Sequence, residues 1–193
     1  MNRAQLEHII RASGEIAKVQ EVIILGSQAI LGQFPALTEP LFELEQAELS
    51  LKERGQKILL QSREVDVLIP EDEEKAEWID GAIGELSDFH NTHGYYAQGV
   101  DSTTATLPDG WRERLILVCN ANTNHIRGYC VEIHDLIISK LHAGRPKDLD
   151  FFLAASQLHL IRKDILSERL TRTPLSDEQR KKIRITIEQG FST

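Results

Sequence analysis

The sequence predicts an α/β domain (α+β in its segregated form) with a short, mixed, twisted sheet flanked by helices, followed by a helical C-terminal segment. Two observations favour this class: short β-branched runs bounded by turn residues alternate with stretches of helical periodicity, and 193 residues suffice for a sizeable core. We predict a domain over residues 1–150 with an insertion at about 34–62, and a helical extension over 151–193.

The first elements follow from apolar spacing. Apolar residues recur at helical spacing between Leu6 and Val19 and predict a helix over 3–18. The apolar run 22–25 predicts a buried strand that ends at a glycine, and a short helix is expected at 28–31.

The middle of the chain is punctuated by prolines. Residues 41–54 have the composition of a charged helix, and residues 57–69 are predicted to form a strand that Pro70 ends. Residues 72–86 are predicted to be helical.

The second half continues the alternation. Strands are predicted at 95–97, 115–118 and 129–133, helices at 134–144 and 147–158, and a last helix after the capping-box pattern at 176–179.

Composition narrows the function classes. A formal charge of -8 opposes a general nucleic-acid binder, although basic residues gather between Arg162 and Arg184. The sequence has no apolar run long enough for a membrane span, and its start lacks the pattern of a secretory signal. Cys119 and Cys130 are too few for a disulfide framework. We expect a cytoplasmic protein with reduced cysteines.

Gly26 and Ser27 follow the first predicted strand. A strand that enters a glycine turn and then a helix gathers backbone N–H groups that hold phosphate, and the Ser27 hydroxyl adds a donor. The alternative is an ordinary turn in which Ser27 caps the helix.

Glu64 and Asp66 alternate with Val65 and Val67. Residues two apart on a strand share a face, so these carboxylates are expected side by side, as in a Mg²⁺ site completed by phosphate oxygens. The alternative is the solvent face of a strand.

Together these residues resemble the nucleotidyltransferase superfamily, which has the DNA polymerase beta-like fold. The match is Leu25-Gly26-Ser27 followed by Glu64-Val65-Asp66, with Glu64 at a position where the family usually has Asp. The resemblance implies nucleotide binding at Gly26 and Ser27, and metal binding and catalysis at Glu64 and Asp66, with Mg²⁺ or Mn²⁺ as cofactor.

A second resemblance lies in residues 135–150. This segment is similar to a helical segment of bacterial nucleotidyltransferase-like proteins, including toxins of toxin–antitoxin systems. Residues 26–32 and 134–136 resemble most closely an uncharacterised branch of that group. The resemblance implies that Lys140 reaches phosphate or assists the attacking group, that Arg145 orients phosphate or the acids, and that Asp148 holds both. Lys140 as an exposed helix residue, and Arg145 with Asp148 as a structural ion pair, are the alternatives.

Many members of this superfamily use a third carboxylate as a metal ligand. Glu132 is the best candidate by strand alternation, and Asp135 comes next, although a helix N-terminus equally explains Asp135. His90 and His93 are predicted to lie in a polar loop rather than in a zinc site. For Tyr95, Tyr96 and Trp111, packing is favoured over stacking on a base.

The leading hypothesis is transfer of a nucleoside monophosphate from a nucleoside triphosphate to a hydroxyl on RNA, protein or a small molecule. The alternative is a non-catalytic module that retains the fold and binds nucleotide or another protein. An antitoxin-like or homo-oligomeric partner is compatible with either hypothesis.

Overall fold

The computed structural model describes residues 1–38, 49–70 and 72–192 of the chain. Its helices are α1 (Arg3–Ala17), α2 (Ile30–Gln33), α3 (Leu51–Leu60), α4 (Ala76–Ile83), α5 (Asp88–His93), α6 (Ile133–Ala143), α7 (Pro146–Gln157), α8 (Lys163–Thr171) and α9 (Asp177–Gly190). Its strands are β1 (Glu21–Ile24), β2 (Glu64–Leu68), β3 (Tyr96–Val100), β4 (Ile116–Val118) and β5 (Arg127–Cys130). Short 3₁₀ turns lie at Ser27–Ala29, Glu73–Lys75, Trp111–Arg114 and Ala121–Thr123.

The strands of the described ranges form one mixed sheet in the order β3-β2-β1-β5-β4. The central strand β1 runs parallel to β5 and antiparallel to β2, while β2 and β3 are parallel and β4 and β5 antiparallel. The sheet and its flanking helices confirm the predicted fold class.

The predicted strand over 57–69 is wrong in its first part. Residues up to Leu60 belong to α3, which begins after a reciprocal capping box between Ser50 and Glu53 and buries Leu59 and Leu60. The strand itself covers only Glu64–Leu68. Residues 41–48 of the charged helix predicted at 41–54 lie outside the described residues.

Other predicted elements shift by a few residues or change type. His90 and His93, predicted to lie in a polar loop, belong to α5, whose Ser87 N-cap accepts a hydrogen bond from the His90 N–H. Both cysteines are free thiols, with Cys130 buried in β5 and Cys119 exposed after β4.

The core continues into the C-terminal helices. Leu166 and Leu170 of α8, and Ile183 and Ile187 of α9, belong to the same buried apolar cluster as the sheet. The predicted boundary after residue 150 falls within α7. No helix in the described ranges is both long enough and apolar enough to cross a membrane.

Candidate active site

The turn after β1 lies directly against Asp66, the middle residue of β2. The Leu25 N–H donates to the Asp66 carbonyl at 3.1 Å, and a Cβ built on Gly26 would lie 1.8 Å from Asp66 Oδ2. The Gly26 backbone (φ −83°, ψ −168°) suits any residue, so contact with Asp66 rather than conformation requires glycine here.

Glu64 and Asp66 share one face of β2, while Val65 and Val67 are fully buried on the other. Burial, then the hydrogen bond and charge of Glu64, raise the pKa of Asp66 to about 7 against the opposing charges of Lys140 and Arg145. Two carboxylates held this close strongly favour a positive partner.

Tyr96 supports Glu64 from the neighbouring strand. The two residues are paired in the β2–β3 register, and the Tyr96 hydroxyl donates to Glu64 Oε2 at 3.0 Å. Burial and this hydrogen bond raise the pKa of Tyr96 to about 12, so the phenol remains a hydrogen-bond donor at neutral pH.

Ser27 points its side chain toward a buried lysine. Its Oγ accepts a hydrogen bond from Lys140 Nζ at 2.8 Å, and Gly26 rather than Ser27 occupies the N-cap position of the following turn. The alternative in which Ser27 caps the helix is therefore wrong.

Lys140 is not an exposed helix residue, since only 7% of it is accessible. Its Nζ donates to Asp148 Oδ1 at 2.9 Å and lies 4.6 Å from the centre of the Phe151 ring. Burial lowers the pKa of Lys140 despite the opposing Asp148 hydrogen bond. The lysine is held at the end of α6 by groups that leave its charge facing Ser27 and Asp66.

Asp148 is fully buried and joins two cations. Besides Lys140, it accepts a hydrogen bond from Arg145 Nε at 2.6 Å. Burial raises the pKa of Asp148, but hydrogen bonds from Arg145 and Lys140 outweigh burial and leave the pKa lowered. Asp148 is therefore an anion that orients both cations, while 58% of the Arg145 side chain remains accessible.

A cavity of about 350 Å³ unites these groups. Its walls include the predicted site residues Gly26, Ser27, Glu64, Asp66, Lys140 and Arg145. They also include polar residues that sequence reasoning missed, namely Ser62, Gln98, Thr104, Ser139 and Lys147. Gln98 gives no local signal, because it reaches the cavity only through the pairing of β3 with β2.

Glu132 is not brought to this cavity, and its predicted place on a strand is wrong. It is the N-cap of α6, where its carboxylate accepts hydrogen bonds from the His134 backbone N–H at 3.0 Å and pairs with His134 Nδ1 at 2.7 Å. β5 ends at Cys130, two residues before Glu132, so strand alternation no longer applies there. Asp135 is buried against Arg114 and Arg169.

Within the described part of the chain, no group of three or more His, Cys, Asp or Glu side chains has the arrangement of a metal site. Mg²⁺ commonly takes one or two carboxylates and completes its shell with phosphate oxygens and water. Glu64 and Asp66 fit that mode, because they are adjacent, share one face and open into a cavity that also holds cations.

Comparison with known protein families identifies the chain's family. A family model described as "Nucleotidyltransferase of unknown function (DUF6036)" matches residues 4–189. No curated protein and no solved structure matches the chain.

Proposed function

The chain belongs to this family of nucleotidyltransferases, and from that premise we propose that it transfers a nucleoside monophosphate from a nucleoside triphosphate to a hydroxyl group with the help of Mg²⁺ or Mn²⁺. One observation carries the proposal. A single cavity combines two adjacent carboxylates from β2 with the Ser27–Lys140–Asp148 hydrogen-bond network. The proposed acceptor is a hydroxyl on an RNA, a protein or a small molecule of the cytoplasm.

The hydroxyl and basic groups of the cavity would bind the triphosphate. Ser27 Oγ and Lys140 Nζ, which are 2.8 Å apart, form a donor pair for triphosphate oxygens, and Arg145 adds a more exposed positive charge. Asp148 keeps both cations oriented before substrate arrives, which reduces the reorganisation that binding requires.

Glu64 and Asp66 would hold the divalent cation. When bound, the cation would neutralise charge on the triphosphate and polarise the attacking oxygen. In the transfer, the acceptor oxygen forms a bond to the α-phosphorus and the bond from that phosphorus to the bridging oxygen breaks. Pyrophosphate leaves, and the hydroxyl proton passes to solvent.

The experiment is label transfer from each α-labelled nucleoside triphosphate with Mg²⁺ to RNA, protein and small-molecule acceptors. We expect wild type to label one acceptor class and Asp66→Asn to lose at least about 100-fold in rate, because removal of a metal ligand withdraws transition-state stabilisation. Asp164→Asn, an exposed carboxylate on α8, is the matched control and should label normally. Equal labelling by wild type and Asp66→Asn would remove Asp66 from the mechanism.

The presence of only two carboxylates in the described part of the cavity favours one alternative, a nucleotide-binding module without turnover. Calorimetry separates the two functions. Metal-dependent nucleotide binding without label transfer supports the module, and absence of nucleotide binding contradicts both. A toxin-like role further predicts that expression arrests growth, that Asp66→Asn relieves the arrest, and that an antitoxin-like partner suppresses it.

A further inference from the structure

Tyr96 has no part in the proposed chemistry, yet its hydroxyl is hydrogen bonded to a carboxylate of the site. The β2–β3 pairing places Tyr96 opposite Glu64, and the O–H donates to Glu64 Oε2 at 3.0 Å. Glu64 needs such support because a glutamate has one more rotatable bond than an aspartate, and ordering that bond costs conformational entropy.

The Tyr96 ring is itself held in place. The His90 ring of α5 packs against it with 4.6 Å between centroids and a tilt of 48°. His90 Nδ1 accepts a hydrogen bond from the Leu86 backbone N–H at 3.0 Å, which fixes the imidazole. A chain of contacts therefore runs from α5 through His90 and Tyr96 to Glu64.

We propose that Tyr96 is a positioning residue, whose phenol O–H fixes the Glu64 carboxylate in the orientation that binds the divalent cation beside Asp66. The inference rests on the proposed function, since it assigns Glu64 to the cation. Donors that hold a metal-binding carboxylate commonly change metal affinity about 10- to 100-fold when they are removed. Tyr96→Phe removes only the O–H and leaves the ring against His90.

The adjacent tyrosine provides a matched control. Tyr95 is buried and pairs through its hydroxyl with His8 Nδ1 at 2.8 Å, within a cluster with Phe89 and His93. Tyr95→Phe therefore also removes one tyrosine hydroxyl that is hydrogen bonded to a side chain, but that hydroxyl has no contact with Glu64.

The experiment measures Mn²⁺ affinity by calorimetry and by the electron paramagnetic resonance signal of free Mn²⁺, with the intact chain and its thermal unfolding as a folding check. We expect Tyr96→Phe to weaken Mn²⁺ binding about 10-fold and Tyr95→Phe to leave it unchanged. The double variant Tyr96→Phe/Glu64→Gln should bind Mn²⁺ no more weakly than Glu64→Gln alone, because Tyr96 acts through Glu64.

Three results would overturn the inference: unchanged Mn²⁺ affinity in Tyr96→Phe, equal weakening by Tyr95→Phe, or additive losses in the double variant. If Glu64→Gln and Asp66→Asn weaken Mn²⁺ binding while Tyr96→Phe does not, only the role of Tyr96 fails. If all of these variants bind Mn²⁺ like wild type, the proposed function fails as well.

Discussion

At the scale of single residues, the contact between Gly26 and Asp66 predicts that a methyl group added at Gly26 weakens Mn²⁺ binding. Gly26→Ala places a Cβ that would overlap Asp66 Oδ2, so the carboxylate must leave its present position. We expect Mn²⁺ affinity to fall at least about 10-fold, as for loss of a group that orients a metal ligand. The measurement is Mn²⁺ calorimetry together with thermal unfolding.

Gly81 is the matched control for this substitution. It lies within α4, and a Cβ there would meet nothing within 4 Å. Gly81→Ala should keep wild-type Mn²⁺ affinity and stabilise the protein by up to about 1 kcal/mol, because alanine has the higher helix propensity. Normal Mn²⁺ binding by Gly26→Ala would show that the Asp66 position is not important for the cation.

The raised pKa of Asp66 predicts how the stability of the protein depends on pH when no metal is bound. Its pKa is raised to about 7, first by burial and then by Glu64, whereas an unfolded aspartate titrates near its ordinary value of 3.8. The folded state therefore binds the proton more tightly, and its contribution to stability is full below about pH 4 and lost as pH rises toward 7.

We accordingly expect the melting temperature in EDTA to show a smaller fall between pH 5 and 8 for Asp66→Asn than for wild type. At pH 8 the variant should be the more stable protein, by an amount on the order of 1 kcal/mol or more. Thermal unfolding across this pH range is the measurement. A variant that is less stable than wild type at pH 8 would contradict the assigned repulsion.

At the residue scale, sequence reasoning reached the groups that have a local pattern. The Gly-Ser turn and the alternating acids of β2 are visible because strand periodicity alone sets which side chains share a face. Tyr96 was interpreted as a packing residue, and Gln98 and Thr104 were not selected, since the approach of all three to the site depends on how β3 and the loop after it are placed.

At the scale of elements, the connection between α6 and α7 brings Asp148 together with the two basic side chains that it orients. Asp148→Asn removes the anion that orients Lys140 and Arg145 and that raises the pKa of Lys140. We expect nucleoside triphosphate affinity to fall about 10-fold or more, since charged hydrogen bonds to the triphosphate become misaligned. Affinity should also weaken further as pH rises, because the pKa of Lys140 drops further and the amine loses its proton.

Asp150→Asn is the control, because Asp150 is an exposed residue of the same helix. It should bind nucleotide as wild type does across the pH range. Calorimetric titrations between pH 6 and 9 provide the measurement. Identical nucleotide affinity and pH dependence in Asp148→Asn and wild type would leave Asp148 with a structural role alone.

A second buried acid connects elements rather than serving the site. Asp135 of α6 contacts Arg114 of the Trp111–Arg114 turn at 2.8 Å and Arg169 of α8 at 3.1 Å. Asp135→Ala leaves two largely buried guanidinium groups without this partner, and we expect a loss of about 3 kcal/mol in unfolding free energy. Chemical denaturation measures it.

Asp164→Ala is the matched control for Asp135, since this exposed carboxylate of α8 pairs with Arg162 at the surface. Its effect should be far smaller than that of Asp135→Ala, because solvent screens exposed ion pairs. Equal effects from the two substitutions would show that Asp135 does not hold these elements together.

Element boundaries were the least predictable level of structure. The apolar residues of 57–69 fit a strand locally, but the Ser50–Glu53 capping box precedes them and commits the chain to α3 through Leu60. Glu132 was misplaced for a related reason, since its capping of α6 outweighs the alternation that continues from β5. In both cases a helix cap, rather than side-chain periodicity, decides where the strand begins or ends.

At the scale of the molecule, the fold class was predictable because strand and helix patterns alternate along the chain. The division into residues 1–150 and a helical extension stays a prediction, and the packing of the last helices bears on it. A Cβ on Gly190 of α9 would lie 2.3 Å from the Phe152 ring of α7, and Ser156 Oγ donates to the Gly190 carbonyl at 3.2 Å. These contacts bring α7 and α9 close together.

A chain that ends at Gln157 tests whether the first part folds alone. It lacks the buried residues Ile161, Leu166, Leu170, Ile183 and Ile187, and it exposes the apolar surface they cover on α6 and α7. At roughly 2 kcal/mol for each fully buried aliphatic side chain, the lost burial is comparable to the whole stability of a typical domain. We expect residues 1–157 to show no cooperative heat-absorption peak in scanning calorimetry, whereas the full chain shows one. A single sharp transition from the shortened chain, with Mn²⁺ affinity retained, would instead establish residues 158–193 as an extension on an independently folded domain.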